Sequence, residues 1–305
     1  MALPGQQTGR PGRAGRPGTM VAVSNTLRIA TYNIKFDDPA RTRTSWAHRR
    51  DLVLDRIAGL EADVIGLQEV LAPQLADIAA ALGEFAVVGV GRDDGQAGGE
   101  HVPLLLRRSR VRSTASGTFW LSRHPGIPST MFGGIPRICS WARLHDLESE
   151  SAGSLGVFNV HLDHRASWRR VLQLQVALRA QRALDTDASV LVGDFNAPLR
   201  GLAAPLALGS AVGSRLLDAR GEIQRGSAPG EINTATVATF TGWNREIAAG
   251  AGSQARSEAQ RIDHVLLGPG LRARNYRVVT EQGERLASDH LPVVVDVEIS
   301  SPRQA

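Results

Sequence analysis

Short apolar runs that stop abruptly on polar residues recur along this chain. Leu27–Tyr32 (LRIATY) alternates, with Leu27, Ile29 and Thr31 on one face and Arg28, Ala30 and Tyr32 on the other, and ends at Asn33. Asp63–Leu67 (DVIGL) ends at Gln68-Glu69, and Gly156–Val160 (GVFNV) delivers His161, Asp163 and His164. Val190–Val192 turns at Gly193 and presents Asp194 and Asn196. Arg261–Leu267 (RIDHVLL) places Asp263 and His264 on opposite faces, and Ser288-Asp289-His290 directly precedes a run over Pro292–Ile299. Apolar runs of about four to eight residues bounded by turn formers predict strands. Phe85–Val90, His101–Leu106, Val111–Arg112, Arg137–Leu144 and Tyr276–Val279 read the same way.

Helical spacing is rarer. Ser45–Leu60 carries the stripe Leu52, Val53, Ile57 and Leu60, with Ser45 as its cap and Arg49 and Arg50 in its first half. Pro73–Leu82 reads as a second helix, and Ser167–Leu184 as a third with the stripe Val171, Leu174, Leu178 and Leu184. In that third helix Trp168, one turn past His164, is assigned to core packing, with lining a cleft as the alternative, and Asp163 to an Asx cap before it. Arg107, Arg108 and Arg110 read as a solvated strand edge. Gly91–Glu100 (GRDDGQAGGE) is a glycine-rich loop without the Lys-Ser/Thr ending of a phosphate loop. Ala219–Glu258 reads as a variable loop region anchored by Thr239-Phe240 and Trp243. Strands outnumber helices, which favours a two-sheet core with helices outside. The expected organisation is a disordered Gly/Pro/Arg-rich tail over 1–24 and a single domain over 25–300.

Composition narrows the partners. The formal charge is +5; subtracting Arg10, Arg13 and Arg16 of the acid-free tail leaves +2, a weak case for a long nucleic-acid track. No apolar run reaches the length of a membrane span, and the N-terminus lacks the apolar segment of a secretory signal. The single cysteine, Cys139, excludes an intrachain disulfide and reads as structural. A monomer in a reducing, cytoplasmic compartment is the expectation.

The polar residues at the strand exits are Asn33, Glu69, His161, Asp194, Asn196, Asp263, Asp289 and His290. If the strand ends converge, the site holds four carboxylates, two amides and two histidines. His161-x-x-His164 has a spacing compatible with metal binding, which by itself is weak evidence.

The pieces TYN at 31–33, LQEV at 67–70, NVHLDH at 159–164, GDFNA at 193–197, RIDHVLL at 261–267 and SDHLPV at 288–293, in this order, resemble the endonuclease/exonuclease/phosphatase superfamily. That superfamily includes DNase I-like nucleases, inositol-polyphosphate 5-phosphatases, sphingomyelinases and Ccr4/nocturnin-type deadenylases. GRDDGQAGGE, SGTFWLS and IPRICSW further resemble the small bacterial branch related to the Ccr4-type enzymes. Two positions depart from that branch: His264 stands where a tyrosine is usual, and Leu104–Leu106 where an aromatic is common.

The resemblance implies an α/β fold, a four-layer α/β/β/α sandwich of two packed, mixed and mainly antiparallel sheets. It implies a divalent-metal-dependent hydrolase that cleaves phosphoesters by in-line attack of water. Hard cations such as Mg²⁺, or Mn²⁺, take oxygen ligands, which makes Glu69 the best ligand, with Asn33, Asp289 and Asp194 contributing. His290 is expected to act as general base with Asp263 orienting its ring, and Asp194 as an alternative holder of the attacking water. Asn196 and His161 are expected to bind the phosphate oxygens, with His164 and Arg137 as further phosphate contacts. The expected substrate is a phosphodiester of nucleic acid or nucleotide type. The alternatives are a small-molecule or lipid head-group phosphoester and, less favoured, an inactive phosphate-binding module.

Overall fold

In the computed structural model the described residues are 26–149, 153–202, 216–226, 237–250, 260–281 and 284–299. The tail expected over 1–24 and parts of the loop region expected over 219–258 lie outside them. Among the described residues twelve strands form two six-stranded sheets. The first is built from β1 (Thr26–Asn33), β2 (Val64–Gln68), β3 (Phe85–Val88), β4 (Leu104–Arg107), β11 (Leu271–Val278) and β12 (Val293–Ile299), in the order β11-β12-β1-β2-β4-β3. The second holds β5 (Val111–Trp120), β6 (Ile138–Asp146), β7 (Ser154–His161), β8 (Ala188–Asp194), β9 (Leu217–Asp218) and β10 (Asp263–Leu267), in the order β5-β6-β7-β8-β10-β9. Each sheet contains one parallel pair, β1 with β2 and β7 with β8, among antiparallel neighbours.

The alternation along β1 decides the layering. Leu27 and Ile29 join Val64, Val157, Val190, Val192, Val265 and Val295 in a core between the sheets. Ala30 and Tyr32 face the other way, under α1 (Trp46–Ala58), with Ile78 of α2 (Ala72–Ala81) in the same cluster. On the far side Leu174, Ala177 and Leu178 of α3 (Ser167–Ala183) cover Phe158, Val160 and Leu191. The result is the four-layer α/β/β/α sandwich, with shorter helices α4 (Ala219–Gly226) and α5 (Arg245–Ala248).

The sheet topology places the chemistry. At the end of β1 and β2, Asn33 pairs with Gln68; at the end of β7 and β8, His161 pairs with Asp194. The antiparallel neighbours begin where those pairs end. Asp263 of β10 lies opposite Asp194, and Asp289-His290 precedes β12, whose first residue Val293 pairs with Thr31. Asn33, His161, Asp194, Asp263 and the Asp289-His290 pair therefore arrive at one edge of the sandwich.

Several expectations change locally. Ser45 makes no side-chain cap to α1; its hydroxyl instead donates to the Thr42 carbonyl at 3.0 Å. Arg110 is no solvated edge residue, because its guanidinium is buried against Asp146. Arg49 is also buried and donates to the carbonyls of Ile34, Lys35, Phe36, Thr44 and Ala287, pinning the turn after β1. Trp168 does not pack into the core, being 49% exposed. Val111–Arg112 and Gly117–Trp120 belong to one long strand, β5, and α4 forms within the expected loop region. Asp163 makes an Asx turn, its Oδ1 accepting from the N–H groups of Arg165 and Ala166 at 2.8 and 2.7 Å, but the turn lies ahead of α3, whose N-cap is Ala166. Cys139 is buried under α3, and burial pushes its thiol pKa up, as a structural cysteine requires.

Candidate active site at the ends of the two parallel strand pairs

Three non-glycine residues with left-handed backbone lie at or just beyond the strand ends: Lys35 (φ 61°), Glu69 (φ 57°) and Asn196 (φ 51°). That conformation is costly for residues with a Cβ, and it persists where surrounding contacts enforce it. The contacts here are polar and partly buried. Lys35 N–H donates to Asn33 Oδ1 at 3.0 Å, Phe36 N–H to Glu69 Oε2 at 3.3 Å, and Asn196 N–H to Asp194 Oδ1 at 2.8 Å. Gly193 precedes them with φ 143°, and a Cβ there would overlap the Val160 carbonyl of the paired strand. The chain must carry glycine at this point for β8 to deliver Asp194 beside His161.

Asp194 is the centre of the arrangement and is buried. Its Oδ2 accepts from Asn33 Nδ2 at 3.0 Å and lies 3.7 Å from His161 Nε2 and 3.8 Å from His290 Nε2. Burial, reinforced by the nearby Asp263 carboxylate, pushes the Asp194 carboxyl up to about 7. His290 Nδ1 lies 2.9 Å from Asp263 Oδ2. Burial by itself would lower the imidazole pKa, but Asp263 outweighs it and raises it to about 10. His290 is thus an imidazolium near neutral pH when no other cation is present. His161 behaves oppositely: burial and the Arg137 charge hold it well below the ordinary range, so it is neutral. Phe240 packs on the His290 ring at 5.0 Å between centroids, and the Thr241 N–H donates to the Asp289 carbonyl at 2.7 Å, so the Thr239-Phe240 anchor does reach the site.

Glu69 and Asp289 converge on a positive charge. Lys35 Nζ lies 3.1 Å from Glu69 Oε2 and 3.9 Å from Asp289 Oδ2, while Glu69 Oε1 accepts from Asn33 Nδ2 at 3.1 Å. Burial would raise the Glu69 pKa, but Lys35 and His290 outweigh it and keep the carboxylate charged. Asn33 spends its amide nitrogen on Glu69 and Asp194, so its orientation braces both carboxylates and turns its oxygen to Lys35 N–H. Asp194, Asp263 and His290 also offer ligand atoms within 4.8 Å of one another, a cluster able to coordinate a divalent metal. In that cluster the His290–Asp263 hydrogen bond already occupies one atom from each. The ammonium of Lys35 lies between Glu69 and Asp289, a place where two carboxylate oxygens would meet a hard cation.

A second group lies beside the first. Arg137 is buried, donates to His164 Nδ1 at 3.0 Å and lies 3.9 Å from Glu100 Oε2. Glu100 also pairs with Arg92 at 2.6 Å and sits 3.8 Å from His161 Nδ1. Arg137 Nε and His161 Nδ1 are buried without a hydrogen-bond partner. An unsatisfied guanidinium N–H is what an anion-binding site leaves open. Asn196 anchors its amide by donating to the Leu162 carbonyl at 2.9 Å. His264, at the position where a tyrosine is usual, bonds the Ala197 carbonyl through Nε2 at 3.0 Å and so braces the GDFNA turn from behind.

The structure thus brings together Asn33, Glu69, His161, Asp194, Asp263, Asp289 and His290, and connects Arg137 and His164 to them through Glu100. Sequence reasoning did not single out Lys35, Arg92 or Glu100. Lys35 stands two residues past a strand end that had already drawn attention, and Glu100 closes the glycine-rich loop, so both carried a positional signal. Arg92 carried none, since its partner lies across that loop.

Residues 30–290 match the family model described as the Endonuclease/Exonuclease/phosphatase family. An endonuclease/exonuclease/phosphatase from Bacteroides vulgatus is similar at 27% identity, with a TM-score of 0.77 over 90% of this chain and 99% of that one. The Bacteroides thetaiotaomicron mannosyl-6-phosphatase Bt3783 is similar at 26% identity, with a TM-score of 0.73 over 89% and 99% of the two chains. The human Nocturnin catalytic domain, at 17% identity and a TM-score of 0.64 over 90% and 94%, shares the fold. No curated protein matches the sequence. The two-sheet sandwich, the convergent carboxylates and histidines and the family match together show that this chain belongs to the endonuclease/exonuclease/phosphatase family of phosphoester hydrolases.

Proposed function

We propose that the protein is a Mg²⁺-dependent phosphodiesterase, with Mn²⁺ as a substitute, that cleaves nucleic-acid or nucleotide phosphodiesters by in-line attack of water. The observation that carries this reading is the position of Asp194, a buried carboxylate near neutral pKa between two histidines and an amide. A base is most effective when its pKa lies near the working pH. Asp194 then orients the attacking water and takes its proton. His290, held cationic by Asp263, supports the charge that develops on the phosphoryl oxygens; this charge state favours Asp194 over His290 as the base. His161, Asn196, Arg137 and His164 hold the phosphate oxygens. Glu69 and Asp289 would hold the cation, with Asn33 bracing Glu69. When bound, such a cation neutralises charge on the phosphoester oxygens.

A second reading is favoured by the likeness to a mannosyl-6-phosphatase, a phosphomonoesterase acting on a sugar phosphate. A substrate panel separates the two. Oligonucleotide cleavage and phosphate release from mannose 6-phosphate would be followed with Mg²⁺ and with chelator. Metal-dependent oligonucleotide cleavage supports the first reading. Phosphate release without oligonucleotide cleavage replaces it with the second, and no turnover of either overturns both.

A further inference from the structure

Phe132 and Trp168 are large apolar side chains that the fold leaves open, 56% and 49% exposed. They lie together, with ring centroids 6.2 Å apart and planes inclined at 48°. Arginines flank both. The Arg123 guanidinium lies 5.7 Å from the Phe132 centroid and that of Arg169 lies 5.0 Å from the Trp168 centroid. Arg169 also donates to the Phe132 carbonyl at 3.3 Å, joining the loop to the helix. A cavity of about 680 Å³ opens beside them, lined among others by Phe119, Arg123, Phe132, Leu172, Val176 and Arg179. That volume falls in the range of small-molecule sites.

The charges around the rings are placed against the local field. α3 begins at Ser167, so Arg169 and Arg170 stand in its first turn, which holds no acid. The positive end of a helix dipole disfavours cations and favours anions. Arg165 adds a further charge just ahead of the helix, with Nε 3.1 Å from His164 Nε2. Among the described residues Asp163 is the acid beside Arg169, at 3.8 Å, and its Oδ1 is committed to the turn. The shelf therefore combines exposed aromatic faces with more cationic charge than the described residues balance.

Its position ties it to the reaction site. Trp168 lies four residues past His164, and Phe132 lies five residues before Arg137; five extended residues span at most about 18 Å. Arg137 and His164 bond each other directly. We propose that Phe132 and Trp168, with Arg123, Arg165 and Arg169, form a stacking platform for a base of single-stranded nucleic acid whose neighbouring phosphodiester lies at Asp194. Base stacking on aromatic rings combined with arginine contacts to the strand is a general mode of single-strand binding. A sugar monophosphate offers neither an aromatic face nor a second phosphate for these arginines. The platform thus names the substrate class of the site and rests on the phosphodiesterase reading above.

Binding and turnover are measured separately so that the two claims can fail separately. A fluorescent single-stranded DNA hexamer is titrated in chelator, where binding is read without cleavage, against wild type, Phe132→Ala, Trp168→Ala and Arg169→Gln. The platform predicts at least a tenfold rise in Kd for each variant, recovery in Trp168→Phe, and an unchanged circular dichroism spectrum, since both rings are exposed. With Mg²⁺ the same variants should raise KM for the hexamer with kcat within twofold of wild type. A hexamer carrying abasic positions should bind wild type and Trp168→Ala alike. Wild-type protein that does not bind the hexamer, or variants within twofold of its Kd, would overturn the platform. Hexamer bound through the platform but not cleaved would overturn the phosphodiesterase reading and leave the platform standing. Cleavage indifferent to Phe132 and Trp168 would do the reverse.

Discussion

Replacing Asn159 with alanine removes the amide that ties the two sheets together beneath the site. Asn159 lies on β7, fully buried, and reaches across to the other sheet. Its Oδ1 accepts from Gln68 Nε2 at 2.7 Å, and its Nδ2 is shared among the carbonyls of Leu67 (2.8 Å), Pro103 (2.9 Å) and Val102 (3.1 Å). Some of these partners survive the loss. Gln68 Nε2 keeps Thr31 Oγ1 and the Gly66 carbonyl, and the Pro103 carbonyl keeps the Leu67 N–H. What is not replaced is about two hydrogen bonds and one or two carbonyls left unpaired in the core. At about 1 kcal/mol per bond and 1–3 kcal/mol per orphaned group, the expected loss is at least about 3 kcal/mol. Gln68 adjoins Glu69, and His161 follows Asn159 by two residues, so the two halves of the site lose their common register. Misplacement on the ångström scale lowers turnover by about tenfold or more. Urea unfolding at constant m gives the stability change, and phosphoester hydrolysis by the folded protein gives the second. A loss under about 1 kcal/mol, or full activity in a destabilised variant, would refute the reasoning.

Gly193→Ala should abolish soluble folded protein, because the new Cβ meets the Val160 carbonyl in the paired strand and β8 cannot keep both its register and Asp194; a normal unfolding transition would contradict this. In chelator, the His290–Asp263 pair should stabilise the fold in a pH-dependent way. The folded-state pKa of about 10 lies above the ordinary 6.5, so this contribution is fully present below about pH 6.5 and is lost as pH rises through 10. The stability difference between wild type and Asp263→Asn should therefore shrink over that window; a difference that grows with pH would refute the assignment. Asp163→Ala should cost about 1 kcal/mol through loss of the turn before α3. Burial by itself would raise the Asp163 pKa, but the N–H groups of Ala166 and Arg165 outweigh it and leave it below 3.8. Its contribution is present above about pH 4 and lost as pH falls through the lowered value, so wild type and variant should converge in acid.

The convergence of the site was legible because strands announce their ends. The runs before Asn33, Glu69, His161 and Asp194 are apolar, short and closed by polar or glycine residues, and parallel pairing then brings their ends to one edge. What the sequence did not disclose depends on three-dimensional neighbours. Arg49 sits in the first half of a helical pattern, where both solvent and the site were open to its charge, yet five carbonyls surround it. The charge of His290 depends on Asp263, which is 27 residues distant along the chain and 2.9 Å distant in space. Phe132 lies in a proline- and glycine-rich loop without periodicity, and Trp168 occupies a helix turn where an aromatic normally reads as core. Their meeting on the surface became visible once the loop was placed against α3.

The central claim is that Glu69 and Asp289 form a divalent-cation site that hydrolysis requires. Its most direct test is the Mg²⁺ dependence of hydrolysis of bis(para-nitrophenyl) phosphate by wild type and Glu69→Gln, with circular dichroism showing both folded. A cation that supplies several kcal/mol of charge stabilisation predicts a fall of about a thousandfold in the wild-type rate on chelation, restored by Mg²⁺. The variant should need at least about tenfold more Mg²⁺ for half-maximal rate. Undiminished wild-type turnover in chelator, or the same Mg²⁺ requirement in Glu69→Gln, would contradict it.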